Sequence, residues 1–319
     1  MRKLFNQLAQ AATFALALAA SGAPQAAPAT TIDELQVNST ITLRRMVVRP
    51  PRPKATVLLL HGFPETLLTW NDVAQSLGNE YEVHAFDWPG YGQSSRPPVE
   101  HFSYAPSAYA QVLRDYIRTA GIDTAHLLIY GTDIGGLPAL LLALDEPGIA
   151  RRIVVGDFAP LNRPQYMHAN LQALKQKPTS DAIHAAMSRN RDEILENCYR
   201  RGFDKAEQFD IAPALKADMA RGWERGGISA ADAFHHYYAN FTRDQEYLES
   251  RLPALKTPVA VVWGERDFYI STAMGSEFAQ RSHASLTLLP GMGHYPHLQS
   301  AQRTAEEIRA ALSAIEQQP

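Results

Sequence analysis

Five short apolar runs constrain this chain more than any other feature. They are ATVLLLH (55–61), YEVHAFDWPG (81–90), AHLLIYGTD (125–133), ARRIVVGD (150–157) and PVAVVWGE (258–265). Each is too short for a buried helix, rich in Val, Ile and Leu, and ends in a turn signal. Such runs suit strands covered on both faces, as in a parallel sheet. Helical patterns fall between several of them, at 105–120, 136–145 and 299–315. That alternation predicts βα units wound on both faces of one sheet. From Ala159 to Leu252 the rhythm breaks. This stretch is polar and rich in Arg, His, Tyr and Ala, and it reads as a helical insertion between two parts of the core, 30–158 and 253–319.

The N-terminus follows a different logic. Arg2 and Lys3 precede an apolar, Ala-rich stretch from about Ala11 to Ala20, and then comes SGAPQAAPAT. That is the charged, apolar and small-residue order of a secretory signal peptide. Residues 1–29 are read as that segment, with cleavage after Ala29, or after Ala23 or Ala26. Export, to a periplasm or medium, is the expectation. The apolar part is shorter than the roughly 20 residues a membrane span needs. Cys198 is the only cysteine, so no intramolecular disulfide is available. A formal net charge of −3 without like-charge runs gives no sign of nucleic-acid binding.

In open α/β sheets, sites form beyond the carboxyl ends of the strands. At those ends stand His61-Gly62-Phe63-Pro64, Gly131-Thr132-Asp133-Ile134-Gly135, Asp157, Asp267 and, in the last loop, Gly293-His294. A carboxylate, further carboxylates and a histidine thus follow in the chain order nucleophile, acid, base. The competing reading of Asp133 is an N-cap of the following helix.

With these motifs the chain resembles the α/β-hydrolase family, in its aspartate-nucleophile branch of epoxide hydrolases and dehalogenases. HGFPETLLTW, DWPGYGQSS, GTDIGG and GMGHYPH carry the resemblance, in the family's order. It implies a doubly wound, mostly parallel sheet with a helical cap inserted after the sixth strand. It also implies that Asp133 attacks a saturated carbon and that His294 then activates water on the resulting ester. Backbone N–H groups of Phe63 and Ile134 would form the oxyanion hole. The acid that orients His294 is either Asp267, 27 residues before it, or Asp157, 24 residues after Asp133. His61 and His297 read as structural.

What leaves is the open question. Fluoroacetate dehalogenases carry arginines where this chain has Ile134 and Leu137. Haloalkane dehalogenases carry a Trp at the Ile134 position and an Asn-like donor at the Phe63 position. The apolar residues here suit a small, uncharged, fairly hydrophobic substrate. Epoxide opening needs an acid from the cap. Tyr238 in AFHHYYANF is its best match, with Tyr237 pointing about 100° away on a helix. Tyr166 and His168 are candidates for a second donor, and His184 is a weaker one. The expected activity is conversion of an epoxide to a vicinal diol without cofactor or metal. The alternatives are a haloalkane or haloacid dehalogenase, and a non-catalytic binding protein on the same fold. A homodimer is left open.

Overall fold

The computed structural model describes residues 28–316 except 224. Eight strands build one sheet: β1 (Ala29–Gln36), β2 (Thr42–Arg49), β3 (Thr56–Leu60), β4 (Glu82–Phe86), β5 (Leu127–Thr132), β6 (Arg152–Gly156), β7 (Val259–Gly264) and β8 (Ser285–Leu289). Their spatial order is β1-β2-β4-β3-β5-β6-β7-β8. The β1–β2 and β2–β4 pairs are antiparallel, and the remaining pairs are parallel.

The five apolar runs are β3 to β7. Side-chain alternation explains why they read as continuous apolar stretches. Leu58 and Leu60 of β3 join the cluster on one face, which holds Leu113 and Leu140 of helices Pro106–Thr119 and Gly136–Asp145. Val57 and Leu59 join the cluster on the other face, with Val73 of Asn71–Leu77 and Ile308 of Ala301–Glu316. Each such side chain, fully buried, contributes about 1.5–3 kcal/mol. Helix Pro106–Thr119 starts with Pro at its first turn and buries Tyr109, Val112, Leu113, Tyr116 and Ile117, the spacing of one helical face. β1 and β8 lie at the two edges of the sheet and gave no apolar run, because β1 is exposed on both faces and only Leu289 of β8 is buried.

Between β6 and β7 the chain leaves the sheet. It forms helices Ala169–Ala173, Thr179–Arg189, Arg191–Asn197, Pro213–Trp223, Ala230–Ala239 and Phe241–Arg251. They lie over the carboxyl ends of the parallel strands. Ser229 and Asp232 form a reciprocal capping box that starts the helix carrying Tyr238. A buried ion-pair set ties the cap down. Arg44 of β2 reaches Asp87 at 2.6 Å and cap residue Asp218 at 2.6 Å, and Thr66 donates to Asp218 at 2.7 Å. Removing one partner would strand a buried charge, typically at a cost of about 3–5 kcal/mol.

The charged and apolar parts of the expected signal peptide, with Ala23 and Ala26, lie outside the described residues. Ala29 is the first residue of β1. Among the described residues no helix is long and apolar enough to cross a membrane.

Candidate active site

The sharp turn after β5 places Asp133. Its φ is +47°, a left-handed conformation that costs a residue with a Cβ roughly 1–2 kcal/mol. The neighbouring glycines make the turn sterically feasible. A Cβ at Gly131 would stand 2.9 Å from the Gly135 carbonyl oxygen, and one at Gly135 would stand 2.8 Å from Leu60 Cβ. Asp133 is not the N-cap of helix Gly136–Asp145, because Gly135 holds that position. Instead Asp133 Oδ1 accepts the Phe63 N–H at 2.7 Å, and Oδ2 faces His294 Nε2 at 3.3 Å.

His294 Nδ1 donates to Asp267 Oδ2 at 2.9 Å. Asp267 is itself fixed by the backbone, since its Oδ1 accepts the N–H groups of Tyr269 (2.7 Å) and Ile270 (3.0 Å). Burial alone would push the His294 imidazolium down. The carboxylates of Asp267 and Asp133 outweigh it and hold the pKa well above the ordinary histidine value. Asp157 sits within 4.8 Å of the same cluster but makes no bond to His294. It also has positive φ, +48°, and its Oδ1 accepts the Gly264 N–H at 2.8 Å. Its Oδ2 is buried without a partner among the described residues. Burial and then the nearby Asp267 push its pKa well above the carboxylate range. Of the two acid positions, Asp267 is therefore the one bonded to His294.

Asp157, Asp267 and His294 bring one ligand-type atom each within 4.8 Å of one another. His294 Nδ1 is spent on Asp267 and Asp157 Oδ1 on Gly264, so a metal would have to displace bonds already made.

The HGFP loop is held on every side. His61 is fully buried, and its Nε2 accepts the Trp88 N–H at 3.1 Å, so Nδ1 carries the proton it donates to Gly62 O at 2.8 Å. Burial first of all lowers its pKa and keeps it neutral. Glu65 accepts from Gly62 N–H and Thr69 and pairs with His297 Nε2 at 2.7 Å. Burial would raise the Glu65 carboxyl, but His297 and Thr69 outweigh it and hold it at about 2. Tyr295 donates to Phe63 O at 2.8 Å. The loop that follows His294 thus fastens the loop that donates to Asp133.

The cap tyrosines divide. Tyr237 donates to Ile134 O at 3.2 Å and is packing. Tyr238 is 3% exposed, packs its ring on Phe234 and Phe241, and its hydroxyl makes no hydrogen bond among the described residues. Burial and then the charge of Asp133 push its pKa well up, so it stays a protonated donor. Tyr91, from the DWPGYGQSS loop, went unnoticed in the sequence. It is buried with an unpartnered hydroxyl, and after burial Asp133 is the charge that raises its pKa most. A buried hydroxyl without a bond in a loop otherwise explained by turn residues is visible only in three dimensions.

A cavity of about 100 Å³ opens beside Asp133 and His294. Phe63, Phe234, Tyr269 and Tyr295 line its floor, and Leu174, Ile183, Met187 and Ile194 of the cap line its walls. His168 lines this cavity, whereas Tyr166 and Tyr238 do not. Tyr166 instead offers its carbonyl to the Ser271 N–H at 2.8 Å. His184 is spent on Asp232 at 2.6 Å. Two lining residues, Cys198 and Arg201, carry no sequence motif. Burial pushes the Cys198 thiol up to about 12, which makes it an inert wall.

A strand–turn–helix elbow carrying a reactive side chain, faced by a histidine and its acid at the carboxyl edge of a doubly wound sheet, defines a hydrolase class. The chain belongs to the alpha/beta hydrolase family, whose model matches residues 57–307. It is 34% identical over 258 residues to epoxide hydrolase 4 of Mus musculus, covering 76% of this chain and 69% of that one. It is 42% identical to a fluoroacetate dehalogenase of Burkholderia sp over 106 residues, about a third of each chain (33% and 34%). The haloalkane dehalogenase DbeA of Bradyrhizobium elkani USDA94 superposes with a TM-score of 0.72 at 19% identity, covering 90% of this chain and 99% of that one. That likeness shows the fold.

Proposed function

We propose that this hydrolase opens a small epoxide to a vicinal diol through a covalent ester on Asp133. The observation that carries the reading is the double hold on Asp133. Oδ1 sits on the Phe63 N–H while Oδ2 faces His294. An ionised carboxylate held this way needs no base to attack carbon. Tyr238 delivers its proton to the epoxide oxygen as the C–O bond breaks. His294, oriented by Asp267, then takes a proton from the water that attacks the ester carbonyl. The charge that develops on the carbonyl oxygen falls to the backbone donors of Phe63 and Ile134. The similarity to epoxide hydrolase 4 over most of the chain supports this choice of substrate.

Dehalogenation is the second reading, favoured by the 42% identity to a fluoroacetate dehalogenase over part of the chain. There Tyr238 and His168 would hold the departing halide. One experiment tests both. His294→Gln should still attack once and then stop, leaving the substrate on Asp133. Intact mass after an epoxide rises by one whole substrate, and after a haloalkane by the substrate less one hydrogen halide. An unmodified variant, tested on a substrate the wild type turns over, removes Asp133 as nucleophile.

Export is proposed on the N-terminal pattern alone.

A further inference from the structure

Besides Asp133 and His294, one charged side chain lines the cavity: Arg201, from the turn after helix Arg191–Asn197. Its guanidinium lies 6.0 Å from the centre of the Tyr269 ring, and that ring is 4.9 Å from the His294 ring. Arg201 and the reacting groups are therefore neighbours across one aromatic side chain. The guanidinium already holds a carboxylate. Both oxygens of Glu193 accept from Nη2, at 3.0 and 2.7 Å. The Glu193 side chain is 50% exposed, so it can exchange this partner for water at little cost. The cap residues Leu174, Ile194 and Met187 that line the same cavity are apolar.

A cavity of about 100 Å³ that contains the Asp133 carboxylate repels a second anion wherever no cation stands beside it. Arg201 supplies that cation, in a fork geometry that fits a carboxylate. The expectation of an uncharged substrate weighed only positions 134 and 137, which the structure fills with buried Ile and Leu. The cation enters from the cap instead.

We infer that Arg201 anchors an anionic end of the substrate, so that the class turned over is a short epoxide bearing a carboxylate. This rests on the epoxide reading for the reaction but not for the anchor. The substrate carboxylate replaces Glu193 on the guanidinium, and the epoxide carbon is left facing Asp133. Arg201 acts on specificity and takes no part in bond making.

Binding can be read without turnover. Butyrate and butyramide, titrated calorimetrically into the full chain, differ only in the charge of one end. Wild type should bind butyrate roughly 10- to 100-fold more tightly, the scale of a charge-assisted hydrogen bond. Arg201→Gln should erase the difference, and Arg201→Lys should keep part of it, with melting temperature confirming that both variants are folded. Equal binding of the two probes by wild type overturns the anchor, as does a preference that survives Arg201→Gln. Turnover of 3,4-epoxybutyrate against its amide supplies the second arm. A carboxylate preference lost in Arg201→Gln supports the anchor. Equal diol formation from acid and amide sinks it while leaving the epoxide chemistry intact. Arg201-dependent butyrate binding with no diol from either substrate leaves the anchor standing and removes the epoxide reading.

Discussion

Replacing Asp157 by Asn separates the two acids of this site and tests the electrostatics that tell them apart. Asp157 is 1% exposed, keeps one oxygen on the Gly264 N–H and leaves the other without a partner among the described residues. Burial and the adjacent Asp267 raise its pKa well above the ordinary carboxylate range. An unfolded aspartate titrates near 3.9. Each unit by which the folded pKa exceeds that value costs about 1.36 kcal/mol of stability once the pH is above the folded pKa. The sign follows from the raised folded pKa. The folded state holds the proton more tightly than the unfolded one. Stability is therefore full below about pH 4 and falls as pH rises towards the folded pKa. Asparagine has no proton to take up, can keep the Gly264 bond, and tolerates the positive φ of +48°.

Asp157→Asn should therefore be more stable than wild type at pH 7. For a chain of this size each kcal/mol gained raises the melting temperature by roughly 2–4 °C. The gain should vanish near pH 4. Melting curves from pH 4 to 8 measure it. On the same reading Asp267→Asn leaves His294 without its acceptor, and ester hydrolysis should slow by on the order of 10³–10⁴-fold, while Asp157→Asn stays within about 10-fold. If Asp157→Asn is destabilised at pH 7, or loses hydrolysis as Asp267→Asn does, the reading of Asp157 as an acid whose pKa burial raises is wrong.

Three further outcomes are expected. Tyr238→Phe should slow epoxide opening by roughly 10- to 1000-fold with an unchanged melting temperature, and unchanged activity would make Tyr238 packing. Asp133→Asn should lower the pKa of His294, seen by NMR titration of its ring, because one of the two carboxylates that raise it is gone. In wild type the stability His294 supplies is full below its unfolded value, about 6.5, and is lost as pH rises through the higher folded one. In Asp133→Asn that contribution should be smaller, and its loss should be complete at lower pH. N-terminal sequencing of exported material should begin near Thr30, and an intact Met1 on cytoplasmic protein would refute the signal peptide.

Strands β3 to β7 were legible because burial on both faces writes itself as an apolar run. β1 and β8 were not, because an exposed edge has no such signature. Asp133 and His294 stood out because glycines at fixed offsets encode the turns that hold them. The choice between Asp157 and Asp267 was not legible. Both end a strand, and what separates them is which backbone N–H each oxygen meets. The cap hid most. Tyr166 and His168 are two residues apart in an irregular stretch, where no period tells which one faces the cavity. Arg201 belongs to no motif at all.

The charges around His294 also explain why one histidine can serve a two-step reaction. In the resting enzyme it stands between two carboxylates, and their pull outweighs its burial. A pKa raised in this way keeps a proton on the ring to higher pH and leaves less of it free to accept one from water. On the proposed route, attack by Asp133 turns one of those carboxylates into a neutral ester. That removes the charge facing Nε2 at 3.3 Å and leaves only Asp267 at Nδ1. The burial that was overridden now counts, the pKa falls, and Nε2 can give up its proton, which replaces the one Tyr238 gave to the epoxide oxygen, and become a base. Base strength therefore appears only after the bond it must hydrolyse has formed. A carboxylate nucleophile brings this switch with it. A serine in the same turn is neutral before attack and would have no negative charge to withdraw.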